Sequence, residues 1–219
     1  MNIFDIIGPV MIGPSSSHTA GALKIGRVAW KLFGEKPEKA VVKLHGSFAR
    51  TYKGHGTDKA IIAGLMGMLP DDVRIRDSLE IAVREKLNFS FETVELTDVH
   101  PNSVVIELTG SLGKKLAVLG SSIGGGNILI KQIDNMEVLF NCQNYTLVIP
   151  HRDTPGVIAS VTGVIGNNRV NIAEMKVYRS KRGGQAIMII ETDETITGDL
   201  IKNLEIIPDI FRVTFIEPD

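Results

Sequence analysis

The sequence predicts an α+β chain of two domains, residues 1–143 and 144–219. Three observations carry that prediction. Apolar residues recur at helical spacing in the first part of the chain, and a run of β-branched segments separated by turn residues fills the middle. After residue 144 the pattern restarts in the order β-α-β-β-α-β, which is the ferredoxin-like arrangement. Helices against a run of mostly antiparallel strands make an α+β first domain.

Taken in order, Ala22, Leu23, Gly26, Ala29, Trp30 and Phe33 fall on one helical face, so a helix begins near Ser17 or His18. Ala40 to His45 reads as a strand that stops at Gly46, and 46–56 reads as a glycine-rich connection. Thr57-Asp58 opens a helix whose apolar face is Ala60, Ile61, Ala63, Gly64, Leu65 and Met68, and Pro70 closes it. Ser78 to Lys86 is a further helix. The strands expected next are 88–96, 104–109, 116–121, 127–133 and 137–140, with Gly124-Gly125-Gly126 between two of them. Asn141-Cys142-Gln143-Asn144 is the domain joint. In the second domain, strands are expected at 145–150, 171–178, 185–191 and 210–216, with helices after Gly156 and over 198–204.

Composition narrows the function classes. At 219 residues with 43% hydrophobic content, the chain can build packed cores. A net charge of −1 gives no electrostatic case for nucleic acid or an anionic membrane surface. The absence of an apolar run of transmembrane length, and of a basic region before an apolar stretch at the N-terminus, leads us to expect a cytoplasmic protein. One cysteine, Cys142, cannot alone supply an iron–sulfur cluster or a zinc site, so no metal is expected on this chain.

Two clusters carry the chemistry. Gly13-Pro14-Ser15-Ser16-Ser17-His18-Thr19-Ala20 sets hydroxyls and an imidazole at a helix start, where unpaired N–H groups favour an anion. Ser15, Ser16, Ser17 and Thr19 would surround a carboxylate while His18 moves a proton. The second cluster runs from His45 to Asp58, with His55, Lys53, Thr57 and Asp58 between glycines. Lys53 suits a carboxylate, and His45 or His55 an acid or base role near neutral pH. The plainer alternative makes Thr57 or Asp58 only a helix cap. Lys59 stands where a dinucleotide fingerprint needs its third glycine. A self-contained hydrolase built on Ser17 and His18 lacks an evident orienting carboxylate. In the second domain, Asp153, Gly156 and Val157 at a helix start, with Asn171 and Ile172 opening the next strand, form a candidate effector site.

The segments GPSSSHTAGA, HGSFARTYKGHGTD and LGSSIGGGNI together resemble the β subunit of iron–sulfur-dependent L-serine dehydratase, over essentially the whole chain. The last third resembles an ACT domain, an amino-acid-sensing module. The resemblance implies a mixed sheet in the first domain and elimination of water from L-serine, giving pyruvate and ammonia in serine catabolism and gluconeogenesis. It also implies a [4Fe–4S] cluster held by a separate α chain, and a dimer through the ACT or the N-terminal domain. His18, His45 and His55 become catalytic candidates, with Ser15, Ser16, Ser17, Thr19, Lys53, Thr57 and Asp58 around the substrate. The competing expectation is a non-catalytic sensor that binds a small anion and an amino acid.

Overall fold

A computed structural model describes residues 11–218. The chain divides into two compact units, Met1–Asn141 and Cys142–Asp219. In the first unit a π-helical turn, Ser16–Gly21, runs directly into α1, Ala22–Phe33. The chain continues through β1 (Lys39–Leu44), α2 (Gly46–His55), α3 (Thr57–Leu65), a 3-10 turn at Val73–Asp77 and α4 (Ser78–Arg84). Then come β2 (Asn88–Thr93), β3 (Ser103–Thr109), β4 (Lys115–Gly124), β5 (Asn127–Ile133) and β6 (Met136–Phe140). Among the described residues these strands form one mixed sheet in the order β2-β1-β3-β4-β5-β6. β1 and β2 pair in parallel, and every other neighbouring pair is antiparallel.

α1 exists because its apolar residues form a stripe that the fold buries: Leu23, Ile25, Val28, Ala29, Leu32 and Phe33 are all at most 4% exposed. It ends at Gly34 in the left-handed conformation. α1 and α3 run side by side in the same direction. Thr19 meets His55 at one end, Gly26 meets Gly64 in the middle, and Trp30 meets Gly67 at the other. The middle contact is backbone on backbone: a Cβ on Gly64 would stand 2.2 Å from the Leu23 carbonyl oxygen. Only glycine permits that approach. Both helices therefore begin at the same end of the pair.

Residues 46–55, expected to be a loop, are helix α2. Glycine, serine, threonine and histidine are weak helix formers, so sequence preference does not signal it. Tertiary anchoring decides it instead: Phe48 is fully buried, and the Ser47 N–H donates to the Pro101 carbonyl at 2.8 Å. The Gly124-Gly125-Gly126 run is the β4–β5 hairpin turn, with all three glycines at positive φ.

The second unit consists of β7 (Tyr145–Arg152), α5 (Val157–Asn167), β8 (Ile172–Arg179), β9 (Gln185–Thr192), α6 (Gly198–Glu205) and β10 (Thr214–Ile216). Its sheet order is β10-β7-β9-β8. Leu147, Ile149, Met188 and Ile190 pack on Val161, Ile165, Leu200 and Leu204 to make a separate core. β10 is shorter than the expected 210–216, because Ile210 is held in a turn to Ile207 and makes only an isolated bridge to His151. Among the described residues no helix is long and apolar enough to cross a membrane.

Candidate functional site

The π-helical turn is where the site begins. Ser15 caps it, its hydroxyl accepting from the His18 N–H at 3.2 Å. Such wide turns are rare and concentrate at functional positions, because the extra residue per turn re-aims side chains. Here it sets Ser15 Oγ and Ser17 Oγ 3.5 and 3.3 Å from His18 Nδ1. The other ring nitrogen, Nε2, lies 3.1 Å from Ser47 Oγ on the first turn of α2. Phe48, one residue on, meets the His18 ring edge-on at 5.4 Å.

The end of α2 supplies the second imidazole. His55 lies with its ring centroid 4.8 Å from that of His18. Its backbone carbonyl accepts from the Thr19 hydroxyl at 3.2 Å, which ties the two clusters together. Gly56, at φ +67, lets α2 stop and α3 start within one residue, a conformation costly to other residue types. His55 Nδ1 and Thr57 Oγ1 are both buried and have no hydrogen-bond partner among the described residues. Buried polar atoms are nearly always paired, so the His55 nitrogen and the hydroxyl of Thr57, two residues on, leave hydrogen-bonding capacity at the start of α3.

Electrostatics agree with that reading. Burial holds the His18 imidazole below the ordinary histidine range, and the neighbouring His55 lowers it further. Both effects favour the neutral form of the His18 imidazole. Asp58, in the first turn of α3, is 9% exposed. Burial raises its carboxyl above the usual range, against the opposing pull of the Lys59 N–H, which donates to it at 2.8 Å. Neither Thr57 nor Asp58 is the N-cap of α3; Gly56 holds that position without a side-chain bond.

Not every sequence candidate joins this cluster. His45 turns to the chain beyond β2, its Nδ1 accepting from the Leu96 N–H at 3.2 Å beside the Val94 carbonyl. No hydrogen bond or ring contact links it to His18 or His55 among the described residues. It holds a loop, because the strand pairing of β1 with β2 brings residues 94–96 alongside it. Lys53 is exposed, with its ammonium 5.7 Å from the Tyr52 ring centroid. It reaches the cluster only through its charge, which lowers the Asp58 carboxyl slightly. Ser16 opens the π-helical turn. Two residues that the sequence reading named only within longer segments belong here: Ser47, and Ser122 of β4, whose buried hydroxyl packs against Gly21.

In the second unit the effector candidates separate. Asp153 accepts from the Gly183 N–H at 3.0 Å and lies 3.4 Å from Arg179, contacts that hold its carboxyl below the usual range. Gly156 is the N-cap of α5 and Val157 is buried on its first turn. Asn171 instead binds the acidic pair Asp193 and Glu194, its N–H donating to Glu194 at 2.8 Å. Asp153 therefore sits at the Arg179 end of β8, whereas Asn171 and Ile172 sit at its start. Eight residues of strand span roughly 25 Å at about 3.3 Å per residue, so one small molecule cannot touch both groups within one copy.

Among the described residues no group of three His, Cys, Asp or Glu side chains is arranged to hold a metal ion. With Cys142 the single cysteine of the sequence, these residues do not fit as the ligand set of an iron–sulfur cluster.

Comparison with known proteins matches this sequence to a family. The family model described as serine dehydratase beta chain matches residues 2–80, and the ACT domain model matches residues 145–209. The probable L-serine dehydratase beta chain of Bacillus subtilis is 43% identical over 213 residues, covering 97% of this chain and 96% of that one. The L-serine dehydratase beta chain of Peptoniphilus asaccharolyticus is 39% identical over 198 residues, covering 90% and 89%. A D-3-phosphoglycerate dehydrogenase of Bacillus subtilis is similar at 27% identity, over 89% of this chain but 37% of its own length. At 43% identity along nearly the full length of both chains, this chain belongs to the family of L-serine dehydratase beta chains.

Proposed function

We propose that this chain is the subunit of an L-serine dehydratase that binds the substrate and handles its α-proton, working with an α chain that carries a [4Fe–4S] cluster. The observation that carries the reading is the His18–His55 pair, with serine hydroxyls at both His18 nitrogens and a buried, unpartnered Nδ1 on His55. Elimination of water from serine removes the α-proton and the hydroxyl; the enamine then tautomerises and hydrolyses to pyruvate and ammonia. A cluster held by the partner would supply Lewis acidity toward the departing hydroxyl. On this chain, His18 has both nitrogens beside serine hydroxyls, whereas His55 Nδ1 has none. We assign removal of the proton to His55, which carries no serine partner, and positioning to His18. Ser15, Ser17 and Thr57 meet the carboxylate, Ser16, Thr19 and Asp58 complete the surroundings of the substrate, and Lys53 adds positive charge from outside them.

The first unit is then the substrate domain and the second an amino-acid-binding regulatory domain. Because Asp153 and Asn171 mark opposite ends of the edge strand β8, one effector site takes both only if two β8 strands meet antiparallel in a dimer. A reduced cytoplasmic setting suits both the cluster and a lone cysteine.

The test is anaerobic co-purification of a tagged chain, followed by an assay of L-serine-dependent pyruvate. Activity accompanied by iron and a cysteine-bearing partner supports the reading. Absence of partner, iron and pyruvate, with amino-acid binding retained, would turn it to a free-standing sensor. In the assembled enzyme, His55→Ala is expected to lower kcat by about 10²- to 10⁴-fold, as for loss of a general base; unchanged kcat would remove His55 from that role.

A further inference from the structure

Trp30 stands at the far end of the α1–α3 pair from His18 and His55. Beside it, between these helices and α4, is a cavity of about 350 Å³. That volume lies at the lower end of the ~300–1,000 Å³ typical of small-molecule sites. Its apolar wall is Trp30, Leu65, Met66, Met68, Ile81 and Leu87. Two methionines give the wall an adaptable shape. A ligand portion with hydroxyl or charge would lose its hydration against this wall without finding a partner.

The rim is different. Lys36, Arg74 and Glu85 contribute to it. The Arg74 guanidinium is committed to Asp72 through bonds of 2.6, 3.0 and 3.1 Å. Lys36 and Glu85 form a single 2.6 Å ion pair with side chains 63% and 57% exposed. An exposed pair of this kind contributes little stability, so it opens readily. It also offers one cation and one anion side by side over an apolar cavity. That is the complement of a zwitterionic head group, whose carboxylate would take Lys36 and whose ammonium would take Glu85 with no change in net charge.

We propose that this cavity is a binding site for a free α-amino acid with a bulky apolar side chain, separate from the His18–His55 site. The proposal does not rest on the dehydratase reading. The pyruvate assay and the measurement below fail independently.

Trp30 is the single tryptophan of the chain, so its emission reports this cavity directly. The full chain is titrated with L-leucine, L-serine, leucinamide, which lacks the carboxylate, and 4-methylpentanoate, which lacks the ammonium. L-leucine is expected to give a saturable change in Trp30 emission. Each half-charged analogue is expected to bind at least about 10-fold more weakly, and L-serine to give no change. Glu85→Gln and Lys36→Gln, both at the exposed rim, should each weaken L-leucine binding by about 10-fold or more and leave thermal unfolding in place. The proposal is overturned by no response to millimolar L-leucine, by an equal response to L-serine, or by full-strength L-leucine binding in both rim variants.

Discussion

His18 is engaged from both sides, and the two engagements have different origins. Ser15 and Ser17 reach its Nδ1 through the local geometry of the π-helical turn, while Ser47 reaches Nε2 across 29 positions of sequence. The Ser-Ser-Ser-His-Thr run shows the local groups side by side, though the sequence reading aimed the serines at an anion rather than at His18; the distant partner was not legible, because a serine at the start of an unrecognised helix looks like any loop serine. Ser47→Ala removes one hydrogen bond of about 0.5–1.5 kcal/mol, so kcat/KM in the assembled enzyme is expected to fall by about 2- to 10-fold. Ser47→Thr should restore it if positioning is the role, and an unchanged kcat/KM in Ser47→Ala would exclude that role. The pH behaviour follows from the same contacts. His18 has a folded-state pKa below 6.5, so in the window just under 6.5 the unfolded chain binds the proton and the folded chain does not. Its contribution to stability is therefore complete above that window and fades as pH falls through it. In an NMR titration the His18 ring should show a midpoint below 6.5, and His55→Ala should move that midpoint upward by removing a neighbouring positive charge. A midpoint at or above 6.5 in the unaltered chain would refute the assignment.

At the scale of elements, the site is a junction of helix ends. The π-helical turn, the C-terminal end of α2 and the N-terminal end of α3 converge because α1 and α3 are locked in parallel at Gly26 and Gly64. Gly64→Ala would place a Cβ 2.2 Å from the Leu23 carbonyl oxygen and 2.8 Å from the Arg27 nitrogen, both backbone atoms that cannot swing away. We expect a loss of about 1–3 kcal/mol in chemical denaturation, as for overpacking, together with reduced turnover. Full stability would mean that the helices separate freely and that the lock is not rigid. The two apolar helix faces around this lock were readable from periodicity. α2 was not, since its ten residues hold one buried side chain and several weak helix formers. Its identity as a helix comes from Phe48 entering the core and from the Pro101 contact, neither of which has a local signature.

Over the whole molecule, the order of elements other than α2 was available from the sequence alone. Period-3.6 and period-2 patterns, turn residues and the polar stretch near 141–144 specify an α+β first part and a β-α-β-β-α-β second part, because burial of one face imposes its periodicity on the chain. The hydroxyl–imidazole segment at Ser15–Thr19 and the His55-Gly56-Thr57-Asp58 segment were likewise visible, since each gathers unusual residue types within a few positions. What the tertiary structure alone decided was which of these residues meet. His45 and His55 carry equal weight as sequence signals. Pairing of β1 with β2 commits His45 to the backbone near Leu96, while the turn at Gly56 swings His55 onto His18. In the second unit the same kind of decision separates Asp153 from Asn171 along β8. Sequence patterns record which side chains each element buries. Contacts between elements distant in the chain depend on helix direction and strand order, which no local pattern encodes.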